Sequence, residues 1–202
     1  VKTLLVVDIQ PEYKDYIYFI PDFVKYVNRT KNNVVFLYNG QDTLGMIPEP
    51  EYQEWLTEKG VRDNVVYNAT FYDKGYAFFR YCIDSNIDTQ SIVNLVKFMY
   101  EKGVNDSREQ TQEFWNEFVE QYGNQNLRDL LEYSDDMLYM PDLMDFLTNY
   151  DDIILCGGGN EQCLKEVEIC LMALGKKYKR LEQYIYEQGG NIENYEYTIG
   201  GL

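Results

Sequence analysis

Cys163 closes a segment in which an apolar run, Asp152-Ile153-Ile154-Leu155-Cys156, is followed by Gly157-Gly158-Gly159-Asn160-Glu161-Gln162. The run predicts a buried strand, the glycines free the backbone for a sharp turn, and an amphipathic helix begins near Cys163. A thiol placed there meets the unpaired N–H groups of a helix N-terminus, which favour a thiolate and can hold an oxyanion. A small apolar cysteine buried at a strand–helix corner would have the same neighbours. Two further segments bear on the choice. Thr3-Leu4-Leu5-Val6-Val7 predicts a buried parallel strand that runs into Asp8, and ligands of open α/β sheets bind at such carboxyl ends. Lys74 leads into the aromatic stretch Tyr76-Ala77-Phe78-Phe79-Arg80.

Together these segments resemble the isochorismatase-like cysteine hydrolases, a superfamily that includes nicotinamidases and other amidohydrolases. Val6-Val7-Asp8-Ile9-Gln10 is similar to the family's first-strand Asp-x-Gln motif, and Lys74 with Tyr76, Ala77, Phe78 and Phe79 is similar to its lysine segment. Gly157 to Cys163 is similar to its Gly-Val-x-Thr-x-x-Cys turn, with the same spacing from first glycine to cysteine. The order Asp, Lys, Cys is also the family's, and the resemblance spans residues 2–84 and 150–186.

The resemblance implies a catalytic triad in which Asp8 is the general base, Lys74 stabilises thiolate and developing charge, and Cys163 attacks an amide-like carbon to give a thioester. Backbone groups of Cys163 and of the turn at Gly158, Gly159 and Gln162 would hold the oxyanion. Gln10, Asn39 and Arg80 are the expected substrate contacts, with Phe78 and Phe79 walling the pocket. Isochorismatases themselves cleave a vinyl ether and lack the cysteine, so the intact set points to C–N hydrolysis of a small amide, ureido or imide compound.

This chain departs from the family pattern in ways that carry expectations of their own. Gly158 and Asn160 stand where Val and Thr are usual, and Glu161 brings a negative charge expected to raise the Cys163 pKa. The family's cis peptide in this turn would fall at Gly158–Gly159. The chain has no histidine, which excludes Ser-His-Asp and Cys-His catalysis and removes the commonest transition-metal ligand. Where nicotinamidases of the family carry Asp-x-His, the sequence reads Asn39-Gly40-Gln41-Asp42-Thr43-Leu44-Gly45. No metal and no cofactor are therefore expected, although Asp42 alone would suit a hard cation or a turn. Two other readings stand beside the hydrolase: a catalytically silent binding or interaction module, and a redox pair of Cys163 with Cys156.

The chain has 202 residues, 18 basic against 34 acidic, for a net charge of −16. A surface of that sign repels phosphate backbones and anionic membranes, so the expected partner is a small molecule, with neither nucleic acid nor membrane, and a homo-oligomer remains open. The four cysteines (Cys82, Cys156, Cys163 and Cys170) form neither a CxxC pair nor a zinc-ribbon spacing. With no signal peptide and no membrane-spanning run in the sequence, reduced thiols point to the cytoplasm.

The elements that must position these groups read as α/β: a three-layer sandwich around a mostly parallel sheet, Rossmann-like, in one domain over residues 1–202. Strands are expected at 3–8, 33–38, 64–67, 151–156 and near 178–186, and helices at 22–31, 50–59 and 163–174. Residues 85–140 form a helical insertion. Ile92, Leu95, Val96 and Met99 make one stripe, a Ser107/Gln110 capping box precedes the next, and Leu127, Leu130 and Leu131 begin a third. The insertion is either a packed thickening of the fold or a lid or subunit contact.

Overall fold

A computed structural model describes residues 2–75, 82, 85–104, 110–131 and 142–187. Its centre is β1 (Thr3–Val7), buried along its whole length, as a strand covered on both faces must be. β2 (Asn33–Tyr38) and β4 (Ile153–Gly157) lie parallel on its two sides. β3 (Thr70–Asp73) and β5 (Tyr178–Arg180) complete an all-parallel sheet of order β3-β2-β1-β4-β5.

Alternation along the strands divides the core in two. Leu5, Val7, Val35, Leu37, Ile153 and Leu155 face one layer, whereas Leu4, Val6, Val34, Phe36 and Cys156 face the other. The second layer is built from α1 (Ile20–Val27), α3 (Glu49–Glu58) and α4 (Asp63–Asn68), which supply Phe23, Val24, Val27, Tyr52, Leu56 and Val66. The first contains α5 (Thr89–Lys102), α6 (Gln112–Tyr122), α7 (Gln125–Leu131), α8 (Leu143–Thr148) and α9 (Cys163–Ala173). A four-residue helix, α2 (Gln41–Leu44), follows β2. The protein is thus an open α/β three-layer sandwich, the architecture anticipated from the sequence.

Two local expectations are corrected. Residues 64–67 are helical, in α4, and the strand is Thr70–Asp73. The pair Val65-Val66 has strand propensity, but Asp63 in the first turn favours a helix start, and Val66 anchors it to the core. The cap ahead of α6 is Thr111, whose hydroxyl accepts from Phe114 N–H at 3.2 Å; Ser107 lies outside the described residues. Within 85–140, α5 is built into the main core. Its buried face (Ile92, Val93, Leu95, Val96, Phe98 and Met99) packs on α9 and shares one core with β1 and β2, while α6 lies against α5 and α7 against α6.

This topology decides where a site can form. From β1 the chain builds outward through β2 to β3, then returns to place β4 on the other side of β1. Loops leaving the carboxyl ends of β1 and β4 therefore diverge and open a crevice, the switch point at which such sheets bind ligands. Val7 is in register with Leu37 and with Gly157, so Asp8 and the glycine turn leave the sheet at the same level.

Candidate active site

Asp8 is the first residue beyond β1, Lys74 the first beyond β3, and Cys163 opens α9 after the turn that leaves β4. The fold brings all three to the switch point. Lys74 Nζ lies 3.0 Å from Asp8 Oδ2, with the lysine 3% and the aspartate 0% exposed. The ammonium also donates to Asn39 Oδ1 at 2.9 Å and to Gly75 O at 3.3 Å. The Asp8 carboxylate is close enough to act on the Cys163 thiol electrostatically, and that cysteine is buried with 8% exposure.

The backbone at Asp8 is in the left-handed region, with φ at 43°. Aspartate tolerates this better than most residues, yet the conformation costs of order 1–3 kcal/mol and must be held from outside. Asp8 N–H donates to Leu37 O at 2.9 Å, and the Tyr186 hydroxyl donates to Asp8 O at 3.3 Å. Strain is thus retained where the carboxylate has to point away from the core and toward the lysine.

The turn after β4 is made by Gly157 and Gly158, with φ at 79° and 70°. A Cβ at Gly157 would lie 2.1 Å from Val7 O, so only glycine lets this turn pass so close to β1. No peptide bond among the described residues is cis, which corrects the expectation at Gly158–Gly159: the two left-handed glycines reverse the chain instead. Gly159 O then accepts from Gln162 N–H at 2.9 Å and from Leu164 N–H at 3.2 Å. The Gln162 N–H is consequently committed, and it does not serve as the oxyanion donor read from the sequence. The N–H groups of Gly159 and Cys163 make no hydrogen bond among the described residues, and Cys163 N–H is at the positive end of α9.

Charge in this crevice sets the resting protonation. Burial pushes the Cys163 thiol well above its ordinary pKa; Asp8 and Glu166 push it further, and Lys74 opposes them. For Lys74 burial works downward, but Asp8, Cys163 and Glu166 outweigh it and the pKa rises. The resting site therefore pairs a neutral thiol with an ammonium already held by a carboxylate. Glu161, expected to act on the thiol, is exposed; the carboxylate that does act is Glu166, one turn into α9 and 3% exposed. On a helix the i+3 position returns to the face of residue i, whereas a residue two places earlier, in the turn, does not.

Gln10 and Asn39 are buried, at 0% and 1% exposure, and their polar atoms are engaged within the protein. Gln10 Oε1 accepts from Asn39 N–H at 2.9 Å, while Gln10 Nε2 donates to Glu12 Oε2 at 2.9 Å and to Asn39 O at 3.2 Å. Gln10 thereby ties the end of β1 to the end of β2, and Asn39 holds Lys74. Phe78, Phe79 and Arg80 lie outside the described residues. Asp42 is exposed on α2. Its neighbour in space, Asp73, accepts from Gly40 N–H at 2.8 Å, from Thr43 N–H at 3.3 Å and from the Thr43 hydroxyl, pinning that loop beside Lys74.

The cysteines separate by face. Cys156 points into the layer of α1 and α3, while Cys163 and Cys170 belong to the layer of α9, so Cys156 and Cys163 are divided by the sheet. All four are free thiols, and Cys82, Cys156 and Cys170 are fully buried. The redox pairing of Cys163 with Cys156 is thereby corrected. No helix among the described residues is long and apolar enough to cross a membrane. No protein-family model matches this chain, and no curated protein and no solved structure matches it.

Proposed function

We propose that the protein is a cysteine hydrolase that cleaves a C–N bond of a small amide, ureido or imide compound, as the resemblance to the isochorismatase-like superfamily implies. The observation that carries this reading is the convergence of Asp8, Lys74 and Cys163, from three different strand ends, on one buried place at the switch point of the sheet, with Asp8 and Lys74 3.0 Å apart. A structural ion pair would not need a thiol at a helix N-terminus close to its carboxylate.

In this reading the substrate carbonyl sits over Cys163. Asp8 takes the Sγ proton as the Sγ–C bond forms and the carbonyl π pair moves to oxygen, so the neutral resting thiol is no obstacle. The oxyanion is met by Cys163 N–H at the helix terminus. Lys74 faces the negative charge as it passes from the Asp8 carboxylate to the oxyanion, the net charge of the site being unchanged. Asp8 returns its proton to the leaving nitrogen, the C–N bond breaks, and a thioester remains. Water, deprotonated by the same carboxylate, cleaves the thioester and restores the thiol.

Four free thiols suit a reducing compartment, and the cytoplasm is the proposed location. A second reading, a catalytically silent binding module, is favoured by the burial of the thiol and the upward push on its pKa. The experiment that separates them is ammonia or amine release from a panel of small amides, ureides and imides by wild type and Cys163→Ala. Turnover in the wild type that the substitution abolishes supports the hydrolase. A panel that binds without release in either protein supports the binding module.

A further inference from the structure

Tyr13 ends a short turn, Pro11–Tyr13, just beyond Asp8, and its hydroxyl is the last member of a hydrogen-bond chain that starts at the ion pair. Lys74 Nζ donates to Asn39 Oδ1 at 2.9 Å, and Asn39 Nδ2 donates to the Tyr13 hydroxyl oxygen at 3.0 Å. The direction of each bond is forced. An ammonium has only donors, so the Asn39 oxygen must face it and the Asn39 amide NH2 must face Tyr13. The Tyr13 oxygen therefore accepts from Asn39, and its own proton is directed elsewhere. Among the described residues the acceptor within reach is the Met46 thioether, at 4.0 Å, a weak partner.

Burial, followed by the negative charge of Asp8, raises the Tyr13 pKa, and Cys163 adds to this only when ionised, so the phenol keeps its proton throughout the working pH range. The ring is fixed by Tyr186, with centroids 6.3 Å apart. A preorganised, neutral donor thus stands near the carboxylate and thiol with no strong acceptor of its own among the described residues. From the geometry we infer that the Tyr13 hydroxyl is a substrate-positioning donor. The compounds this site takes then carry a hydrogen-bond acceptor atom next to the group that Cys163 attacks. This rests on the hydrolase reading and adds to it a residue and a substrate feature.

Two aldehydes of nearly equal shape test it: butanal and 2-methoxyethanal, which differ by a methylene replaced with an ether oxygen. Each forms a thiohemiacetal reversibly: the Sγ–C bond forms, the carbonyl π bond opens, and the thiol proton ends on the aldehyde oxygen. The reading is the aldehyde concentration that halves iodoacetamide labelling of Cys163, in wild type and Tyr13→Phe. The expected result is that the preference for the methoxy aldehyde over butanal falls by about five- to tenfold in Tyr13→Phe, the size of one net hydrogen bond. General disturbance of Asn39 or Lys74 would weaken both aldehydes alike and leave that ratio unchanged, which would overturn the inference while sparing the hydrolase. If neither aldehyde protects Cys163 in the wild type, the nucleophile assignment fails and the role of Tyr13 fails with it.

Discussion

Lys74 Nζ sits 3.0 Å from Asp8 Oδ2 in a place where neither side chain meets solvent, and the two arrive there from the same half of the sheet, after β3 and after β1, with β2 between them. Burying two charges is costly, and a pair retained at the switch point of the sheet is placed where its field acts on the Cys163 thiol.

Removing one partner should destabilise far more than removing both. Lys74→Met leaves a buried carboxylate and Asp8→Asn leaves a buried ammonium, each expected to cost about 3–5 kcal/mol, whereas the double variant should recover most of that loss. Urea unfolding of the three variants gives the cycle directly. Additive losses in the double variant would show that the pair is not coupled.

Stability should fall on the alkaline side. Cys82, pushed up to about 12 by burial, and Cys163, Cys156 and Cys170, all raised chiefly by burial, hold their protons in the folded protein beyond the point at which an unfolded thiol releases its own. The raised Lys74 acts in the same sense. Stability from these groups is fully present below the unfolded thiol value near ~8.5 and is lost as pH rises above it, at up to about 1.4 kcal/mol per pH unit for each thiol. Denaturant midpoints should be level near pH 7 and drop from about pH 9 upward, and Cys170→Ala should lessen that slope.

Gly157→Ala should be among the most damaging single-methyl additions. The new Cβ meets Val7 O at 2.1 Å and the residue must keep φ at 79°, so β1 and β4 would have to part beside Asp8. A loss of more than about 3 kcal/mol is expected. Gly103→Ala, also left-handed but facing open space, should cost only about 1 kcal/mol. Thermal melts of the pair check the contrast.

The turn that carries Cys163 is also braced from β5. Arg180 donates to Asn160 Oδ1 at 2.5 Å and to Glu168 at 3.3 Å, linking the turn, helix α9 and the edge strand through one guanidinium. Arg180→Gln should cost about 1–3 kcal/mol, because Glu168 is buried, and should quicken amide exchange across 159–163 before it affects β1. Hydrogen exchange read by peptide distinguishes local loosening from global unfolding.

Much of this arrangement was legible in the sequence for a physical reason: parallel strands covered on both faces read as unbroken apolar runs, so β1, β2 and β4 and the polar residue that ends β1 stand out. β3 did not, since Thr70-Phe71-Tyr72-Asp73 is a half-buried edge strand with no such run, and the nearby Val65-Val66 drew the assignment to α4. The stripe of Ile92, Leu95, Val96 and Met99 is legible as a helix, but that this helix runs Thr89–Lys102 and shares a core with β1 is a tertiary fact. Around the thiol, proximity in sequence misled: Glu161 is nearer along the chain, and Glu166 is the charge that reaches it. A signal for Glu166 existed, a carboxylate on the otherwise apolar Cys163–Val167–Cys170 face. Tyr13 had none, because one tyrosine among 20 acquires meaning only from the direction of the Asn39 amide.

The central claim is that Asp8, Lys74 and Cys163 act on one another as a single charged site, and iodoacetamide labelling of Cys163 across pH, read by peptide mapping, tests it most directly. Cys163 should label ahead of the fully buried Cys82, Cys156 and Cys170 in the folded protein. Its profile should move to lower pH in Asp8→Asn, which removes a charge that raises the thiol, and to higher pH in Lys74→Met, which removes the one that lowers it. Profiles that superimpose on the wild type in both variants would contradict the account.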